Sequence, residues 1–403
     1  MSTQSATDGV SLLRNPWDFS IVRGGPFFRF LRRAHLSDDS LSMVRRRIAA
    51  IALFAWLPLL VLSALEGHLF GGTTTIPFVK DVDVHAKLLV VVPLLLVAEL
   101  VVHRRVRPLL QQFSQRNLIP DKAMPRFDAA IASALRLRNS VLAEILLLAF
   151  VYGVGIQFFW RHYTALQAAP WYATPSDGGL KLSLAGVWYG YVSLPLSQFL
   201  LFRWYFRLFI WTRFLWKVSR IELRLVPTHP DRVGGLSFLS QAAYALTVLA
   251  VAHGAILSAR LTGRILFLGA SLLQFKAEIA ALVVVLLFVI LGPLLVFAPQ
   301  LAAVKRKGLR EYGMLAERYV REFDTKWLHG AAPADEPLVG SSDIQSLADM
   351  SNSYDVVRTM RVAPITRQAV LGLVVATLLP IAPLLLTVMP LEQLVKKLAS
   401  LLF

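Results

Sequence analysis

Cysteine is absent from the 403 residues of this chain. Its absence excludes a disulfide framework, a thiol nucleophile and any zinc or iron–sulfur site with Cys ligands. Acidic residues are scarce, with 25 Asp and Glu against 42 Lys and Arg. No catalytic, nucleotide-binding or metal-binding motif of high specificity is present, so we expect no cofactor.

Apolar residues make up 56% of the chain and are concentrated in seven stretches. About 20 helical residues cross the roughly 30 Å of bilayer hydrocarbon, and lipid cannot satisfy exposed backbone groups, so each span must be helical. The predicted spans are residues 48–66, 86–103, 140–160, 184–205, 236–258, 277–299 and 368–390. The predicted fold class is all-α, a polytopic transmembrane helix bundle of about seven spans with amphipathic cytoplasmic helices.

The spans divide the chain into four segments. These are a cytoplasmic N-terminal segment (1–47), a six-span bundle (48–299), a cytoplasmic helical segment (300–367), and the seventh span with a short tail (368–403). Polar and basic residues precede the first apolar run, which predicts an uncleaved anchor. In the N-terminal segment, Phe and Leu alternate with Arg over 27–33, a pattern typical of a helix in the headgroup region or of a simple flanking segment.

Lys and Arg are concentrated on alternate sides of successive spans. Of the 42, 33 fall before span one, in the connections two–three and six–seven, or around the four–five connection including Arg203 in span four. Cationic residues remain cytoplasmic, which places the N-terminus inside and the C-terminus in the periplasm. Since the charge of +17 flanks apolar spans, anionic lipid headgroups are the expected partners and nucleic acid is not.

Four ionisable residues stand at membrane depth near the cytoplasmic side. They are Glu99, Glu144, Arg203 and Arg207. Arg203 and Arg207 are four residues apart and share a helix face. Charges inside a membrane face a partner or a water-filled cavity. The cluster is therefore either a set of fixed ion pairs or the polar level of a gate.

A turn-forming string precedes the fifth span. It contains His229, Asp231, Arg232, Gly234 and Gly235. One interpretation is a structural turn in which Asp231 caps the next helix. The other is a small anion or headgroup site that uses the exposed N–H groups at the start of that helix.

Two further groups are candidates for binding. On the outer side Asp81, Asp83 and His85 alternate, so an extended segment would place all three on one face as weak metal ligands. The alternative is that Asp81 or Asp83 caps the second helix. On the cytoplasmic side, residues 301–361 predict two amphipathic helices, the first of which continues from the sixth span. They must dock on the bundle, on each other or on a protein partner. The candidate partner-face residues are Asp343, Asp349, Asn352 and Ser353.

Two strings carry a resemblance. They are Pro-Thr-His-Pro-Asp-Arg-Val-Gly-Gly-Leu (227–236) and Ser-Asp-Ile-Gln-Ser-Leu-Ala-Asp (342–349), followed by Asn352-Ser353. Together they resemble a group of uncharacterised multispanning proteins from proteobacteria. The resemblance covers a small part of the chain and implies the bacterial inner membrane as the location. It implies no activity and no site residues.

Three functional hypotheses follow from these patterns. An ion or small-solute channel or transporter would use the charged level around Glu99 as its constriction. A scaffold or sensor would use residues 301–361 to recruit a partner, and homo-oligomer formation is compatible with either. A lipid-modifying enzyme would need one of the His and Asp groups as its site. Seven spans exceed what an anchor requires, which favours transport.

Overall fold

The computed structural model describes most of the chain. The described residues are 20–36, 43–71, 74, 76–155, 171–176, 179–333 and 335–388. The ends of predicted spans three and seven, and the C-terminal tail, lie outside these residues.

The described residues are predominantly helical, which confirms the all-helical class. In chain order the helices are α1 (Pro26–Arg33), α2 (Val44–Leu65), α3 (Val82–Gln115), α4 (Asp121–Arg138), α5 (Val141–Gly155), α6 (184–218), α7 (Ser237–Leu268), α8 (Leu272–Trp327), α9 (Ser342–Arg358) and α10 (Arg367–Leu378). An unpredicted antiparallel hairpin pairs β1 (Ala173–Ser176) with β2 (Gly179–Leu182). Short 3₁₀ turns cover Phe78–Lys80 and Ala382–Thr387.

Four of the described helices, α2, α3, α7 and α8, are long and apolar enough to cross a membrane. The pair α4 and α5, bent by 47°, adds a fifth if it is counted as one span. These helices indicate an integral membrane protein. The N-terminal half of α6 contains Trp, Tyr, Ser and Gln, and α10 has only 12 residues. The structure therefore supports four to five of the seven predicted spans on length and apolarity.

Several helices extend well beyond their apolar runs. α3 covers Val82–Gln115, whereas the predicted span was 86–103. α8 has 56 residues, or about 84 Å of helix at 1.5 Å per residue, and it passes the predicted boundary at residue 300. It begins with a 3₁₀ turn at Leu272–Phe275 and is interrupted by the 3₁₀ segment Gly292–Phe297, where Pro293 removes a backbone donor.

α3 and α6 begin in the same way. Each starts at a capping side chain, forms five α-helical residues and then a π-helical turn, and reaches a proline two residues later. The π turns are Lys87–Val91 and Tyr189–Ser193, and the prolines are Pro93 and Pro195. Proline has no N–H for the carbonyl four residues earlier, so the helix is locally widened just before it.

The connections gather at two opposite ends of the bundle. At one end, Trp171 N–H donates to the Ile76 carbonyl at 3.1 Å. At the other, Arg224 N–H donates to the Leu118 carbonyl at 2.8 Å and Arg361 N–H to the Arg232 carbonyl at 2.7 Å. This second end, formed by 116–121, 219–236, 300–308 and 357–366, is called the basic end below. The grouping matches the alternation expected from the cations.

A reporter experiment tests the orientation of the two ends. We expect fusions after residue 75 or 175 to report a periplasmic location. Fusions after 120, 225 or 335 should be cytoplasmic, because the connections rich in Lys and Arg are retained inside. A periplasmic signal from residue 335 would reverse the assignment of the basic end.

The backbones of α7 and α10 touch at Gly254. A Cβ atom at this position would lie 2.1 Å from the Thr377 carbonyl oxygen. Further along, Leu261 of α7 and Ile381 after α10 share an apolar cluster with Leu272 and Phe275. α10 and the turn after it therefore run alongside α7.

Replacing Gly254 with valine is expected to lower the free energy of unfolding by about 1–3 kcal/mol, because the backbones must separate. The matched control is Gly263→Val in the same helix, where a Cβ would meet nothing within 4 Å. SDS titration followed by far-UV circular dichroism measures both variants. Equal losses would show that valine in α7, and not the close approach, causes the effect.

Candidate functional site

Glu99 lies at the centre of a buried ion cluster. Its Oε1 accepts hydrogen bonds from Arg207 Nη2 at 2.7 Å and from Arg203 Nη1 at 3.2 Å. Its Oε2 lies 2.9 Å from Arg47 Nη2. The four side chains are at most 5% exposed. The i, i+4 spacing in α6 places both of its arginines on the face toward α3.

The sequence identified three of these groups but missed Arg47. This residue is the last of three consecutive arginines at the start of α2, where the sequence pattern indicates only a role in orienting the chain in the membrane. Because Arg47 precedes the predicted span at 48–66, no depth signal distinguished it from Arg45 and Arg46. Its Nε and Nη1 have no hydrogen-bond partner among the described residues, so Glu99 and the Leu96 carbonyl are its main polar contacts.

Glu144 joins the cluster from α5 and holds the N-terminal segment. One carboxylate oxygen lies 3.5 Å from Arg203 Nε. The other accepts the Phe27 N–H at 2.6 Å. Gly25, with φ of +90°, allows this approach, because a Cβ there would lie 2.8 Å from the carboxylate.

Segment 20–36 covers the cluster. The Arg203 guanidinium lies 4.8 Å from the centre of the Phe27 ring, and this ring packs edge-on against Phe199. Ser20 accepts a hydrogen bond from Arg138 through its carbonyl at 2.5 Å. The segment, including α1, thus packs on the bundle, whereas the sequence left open whether it only lies among headgroups.

The charged groups form a closed, buried network of ion pairs. Three guanidinium groups share two carboxylates, and every oxygen of these carboxylates has a cation or N–H partner. A cavity of about 10 Å³ adjoins Arg207, which is room for one water molecule at most. In this geometry the charged groups hold α2, α3, α5 and α6 together.

The turn before α7 is organised by Asp231. Its Oδ1 accepts the N–H groups of Val233 at 2.8 Å and Gly235 at 3.1 Å, and its Oδ2 accepts Ser237 N–H at 3.1 Å. Burial opposes ionisation, but these three donors, with His229 beside them, lower the pKa of Asp231 overall. The carboxylate occupies the position where the sequence hypothesis placed an external anion.

The remaining turn residues serve the same local structure. Arg232, Gly234 and Gly235 all have positive φ, at 57°, 64° and 99°. His229 Nδ1 lies 2.9 Å from Asp231 Oδ1. The Arg361 side chain donates to the Asp231 carbonyl at 3.3 Å, which ties the turn to the segment before α10.

The three outer metal candidates do not share a face. Residues 82–86 are helical, not extended as the sequence hypothesis assumed, because Asp81 caps the helix by accepting Val84 N–H. Burial raises the pKa of Asp81, whose other oxygen accepts Trp171 Nε1–H at 2.9 Å. Asp83 instead pairs with Lys87 at 2.5 Å.

His85 is also committed to protein partners. Its Nδ1 accepts Trp56 Nε1–H at 2.9 Å, and its Nε2–H donates to the Phe78 carbonyl at 2.9 Å. Both ring nitrogens are therefore occupied. Across the described residues, no group of three or more His, Asp or Glu side chains is arranged to hold a metal ion.

Asp343, predicted on the partner face, lies inside the α8–α9 hairpin. Its carboxylate accepts Lys326 Nζ at 2.8 Å and Trp327 Nε1–H at 3.0 Å, and these donors lower its pKa. Asp349 and Asn352 are exposed, and Ser353 is half-buried. Asp349 accepts a hydrogen bond from Gln345 at 3.0 Å. Only the exposed pair remains available as a recognition surface.

No protein-family model, curated protein or solved structure matches this chain.

Proposed function

We propose that the protein is a bacterial inner-membrane scaffold or sensor whose α8–α9 hairpin recruits a cytoplasmic protein. The basic end faces the cytoplasm in this proposal, as the distribution of Lys and Arg requires. The hairpin is then the part of the described chain that extends furthest into the cytoplasm.

The observation that carries the proposal is the continuity of α8. One helix of 56 residues connects the turn at 269–271, at the end opposite the basic end, with the tip of the hairpin. At about 84 Å it exceeds the roughly 40–45 Å of a bilayer with headgroups. About half of it therefore extends beyond the membrane, and movement of its membrane half would displace the hairpin.

The hairpin is held by its own contacts and leaves apolar side chains uncovered. Tyr319 OH donates to the Asp343 carbonyl at 3.2 Å, and Lys326 bridges Glu336 and Asp343. Leu315 and Val320 of α8 remain 48% and 50% exposed. Exposed apolar residues beside polar ones are typical of a surface that binds another protein.

The sealed ion cluster supports a structural role for the membrane part. A conduit needs polar groups that face water, whereas Glu99 and Arg203 are buried against each other and beneath the N-terminal segment. The ion pairs hold α2, α3, α5 and α6 together. The geometry thus favours the scaffold over the transporter.

Cross-linking in living cells tests recruitment. A photoreactive amino acid at Asn352, on the exposed face of α9, is expected to form a defined protein adduct that is lost when Asp349 is changed to Arg. The control change, Glu317→Arg on the charged outer face of α8, should leave it intact. An adduct insensitive to Asp349→Arg would contradict recruitment by this face, and an adduct with a second copy would indicate homo-oligomer formation instead.

Transport is the second candidate, and the matching π turns favour it. Both occur in helices that contribute to the ion cluster, and each precedes a proline. π turns are frequent at functional sites, and such breaks can permit helix movement. Ion flux into proteoliposomes under an imposed gradient would support transport. The absence of flux under the same gradient would favour the scaffold.

A further inference from the structure

A cluster of cations lies between α4 and α6, away from the ion cluster around Glu99. Arg213 Nη1 donates to Ser133 Oγ at 2.9 Å, and Lys217 Nζ donates to the same oxygen at 2.8 Å. Arg136, one turn after Ser133 in α4, is near enough for its charge to act on Lys217. A neutral hydroxyl thus occupies the position between two cations where a carboxylate is normally found.

The positive charge of this cluster is uncompensated. None of the three cations forms an ion pair with a described carboxylate. Ser133 is only 8% exposed, and two incoming donors use its two lone pairs. Its own O–H has no acceptor among the described residues, so it remains available to donate to an anion.

The surface beside the cluster has the character of a membrane boundary. Phe202, Phe206 and Phe209 share one stripe of α6. Arg213 and Lys217 continue the same stripe toward the end of the helix. Phe209 and Trp216 are 56% and 48% exposed. Such a change from apolar to basic residues, with an exposed Trp, marks the interface between hydrocarbon and headgroups.

The depth of the cluster agrees with this boundary. From Leu184, where α6 begins, to Arg213 is about 44 Å at 1.5 Å per residue. A bilayer with its headgroups is about 40–45 Å thick. If Leu184 lies at the outer surface, Arg213 and Lys217 reach the level of the inner headgroup phosphates.

We infer that Ser133, Arg136, Arg213 and Lys217 bind the headgroup phosphate of an anionic phospholipid in the inner leaflet. The two cations and the hydroxyl donate to the phosphate oxygens, and Arg136 adds charge from the rim. The acyl chains lie against Phe209 and the apolar stripe above it. The bound lipid supplies the negative charge that the chain lacks between α4 and α6.

Lipid titration of the full-length protein in detergent tests this site. The probes are dioctanoyl phosphatidylglycerol, phosphatidylcholine with the same chains, and sodium phosphate, and the readout is Kd from the shift in unfolding temperature. Phosphatidylglycerol should bind most tightly. Replacing both Arg213 and Lys217 with Gln should weaken it about 30-fold, since each cation near an anionic surface contributes about fivefold.

The matched control removes the same charge elsewhere. Arg306 and Arg310 are exposed on α8, and changing both to Gln should alter the Kd less than threefold. If the double variant does not fold, Lys217→Gln alone should weaken binding about fivefold. Equal losses in variant and control, or equal binding of phosphatidylcholine, would overturn the inference. Displacement of the lipid by millimolar phosphate would instead assign the site to a soluble anion and overturn the lipid assignment.

Discussion

Replacing Glu99 with glutamine is expected to lower the free energy of unfolding by about 3–5 kcal/mol. The change removes the carboxylate shared by Arg47, Arg203 and Arg207. All three guanidinium groups stay buried, and only Arg203 retains a carboxylate, that of Glu144. SDS titration of the purified protein measures the loss.

Arg47→Met is the matched control, and it should change the same free energy by no more than about 1 kcal/mol. Arg47 leaves two of its nitrogen atoms without partners, and Glu99 keeps two cations after its removal. Combining Arg47→Met with Glu99→Gln should recover part of the loss, because one stranded charge disappears. If Arg47→Met and Glu99→Gln lower the free energy of unfolding equally, the view that the cluster holds more cations than carboxylates can neutralise is wrong.

The same variant separates the two candidate functions. If Glu99 lines a pathway, Glu99→Gln should leave the amount of folded protein nearly unchanged and alter ion flux or its pH dependence. If the cluster is structural, the loss should appear as instability without any change in flux. Measuring flux and stability on one preparation keeps the outcomes distinct.

Asp231→Ala is expected to lower the free energy of unfolding by about 2–4 kcal/mol, because the backbone donors of the turn lose their acceptor. Val233 and Gly235 are buried, so water cannot fully replace the carboxylate. Asp231→Asn retains one carbonyl oxygen and should lose less. The exposed Asp335 provides the control, and Asp335→Ala should be nearly silent.

The Asp231 effect should depend on pH in a defined direction. The pKa of Asp231 in the folded protein lies below the ordinary value of 3.8, so its ionised form is stabilised by folding. Its contribution is complete above about pH 4 and is lost as the pH falls through the folded-state pKa. The free energy of unfolding of the Asp231→Ala variant should therefore fall less than that of the wild type as the pH is lowered below 4. An equal fall in both proteins would contradict the role of Asp231.

Helix periodicity and burial cost identified most of the ion cluster from the sequence. Arg203 and Arg207 had to share a face of α6, and a carboxylate at the depth of Glu99 had to find a cation. The participation of Arg47 and Phe27 was not predictable. Arg47 lies more than 40 residues before Glu99, and Phe27 lies 117 residues before Glu144, whose carboxylate accepts its N–H. Only packing brings each pair together.

Local pattern alone misled at two positions. Alternation of Asp81, Asp83 and His85 suggested an extended segment with a metal site, but the alternative is correct, because Asp81 caps a helix that begins there. The pattern of its own helix places Asp343 on the solvent-exposed face, yet its carboxylate accepts hydrogen bonds from Lys326 and Trp327 of the preceding helix. At Asp81 the deciding hydrogen bond is with the backbone N–H of Val84. At Asp343 the deciding hydrogen bonds come from side chains of the preceding helix.

The sequence by itself determined the helical membrane class, the alternation of basic connections and the level of the buried charges. Those properties follow from composition and helix period, which act residue by residue along the chain. The tertiary structure alone decided that Arg47 joins the ion cluster, that segment 20–36 covers Glu144, and that Asp231 occupies its own turn. Each depends on which donors and surfaces remain unsatisfied after the helices pack, and that is a property of the assembled bundle.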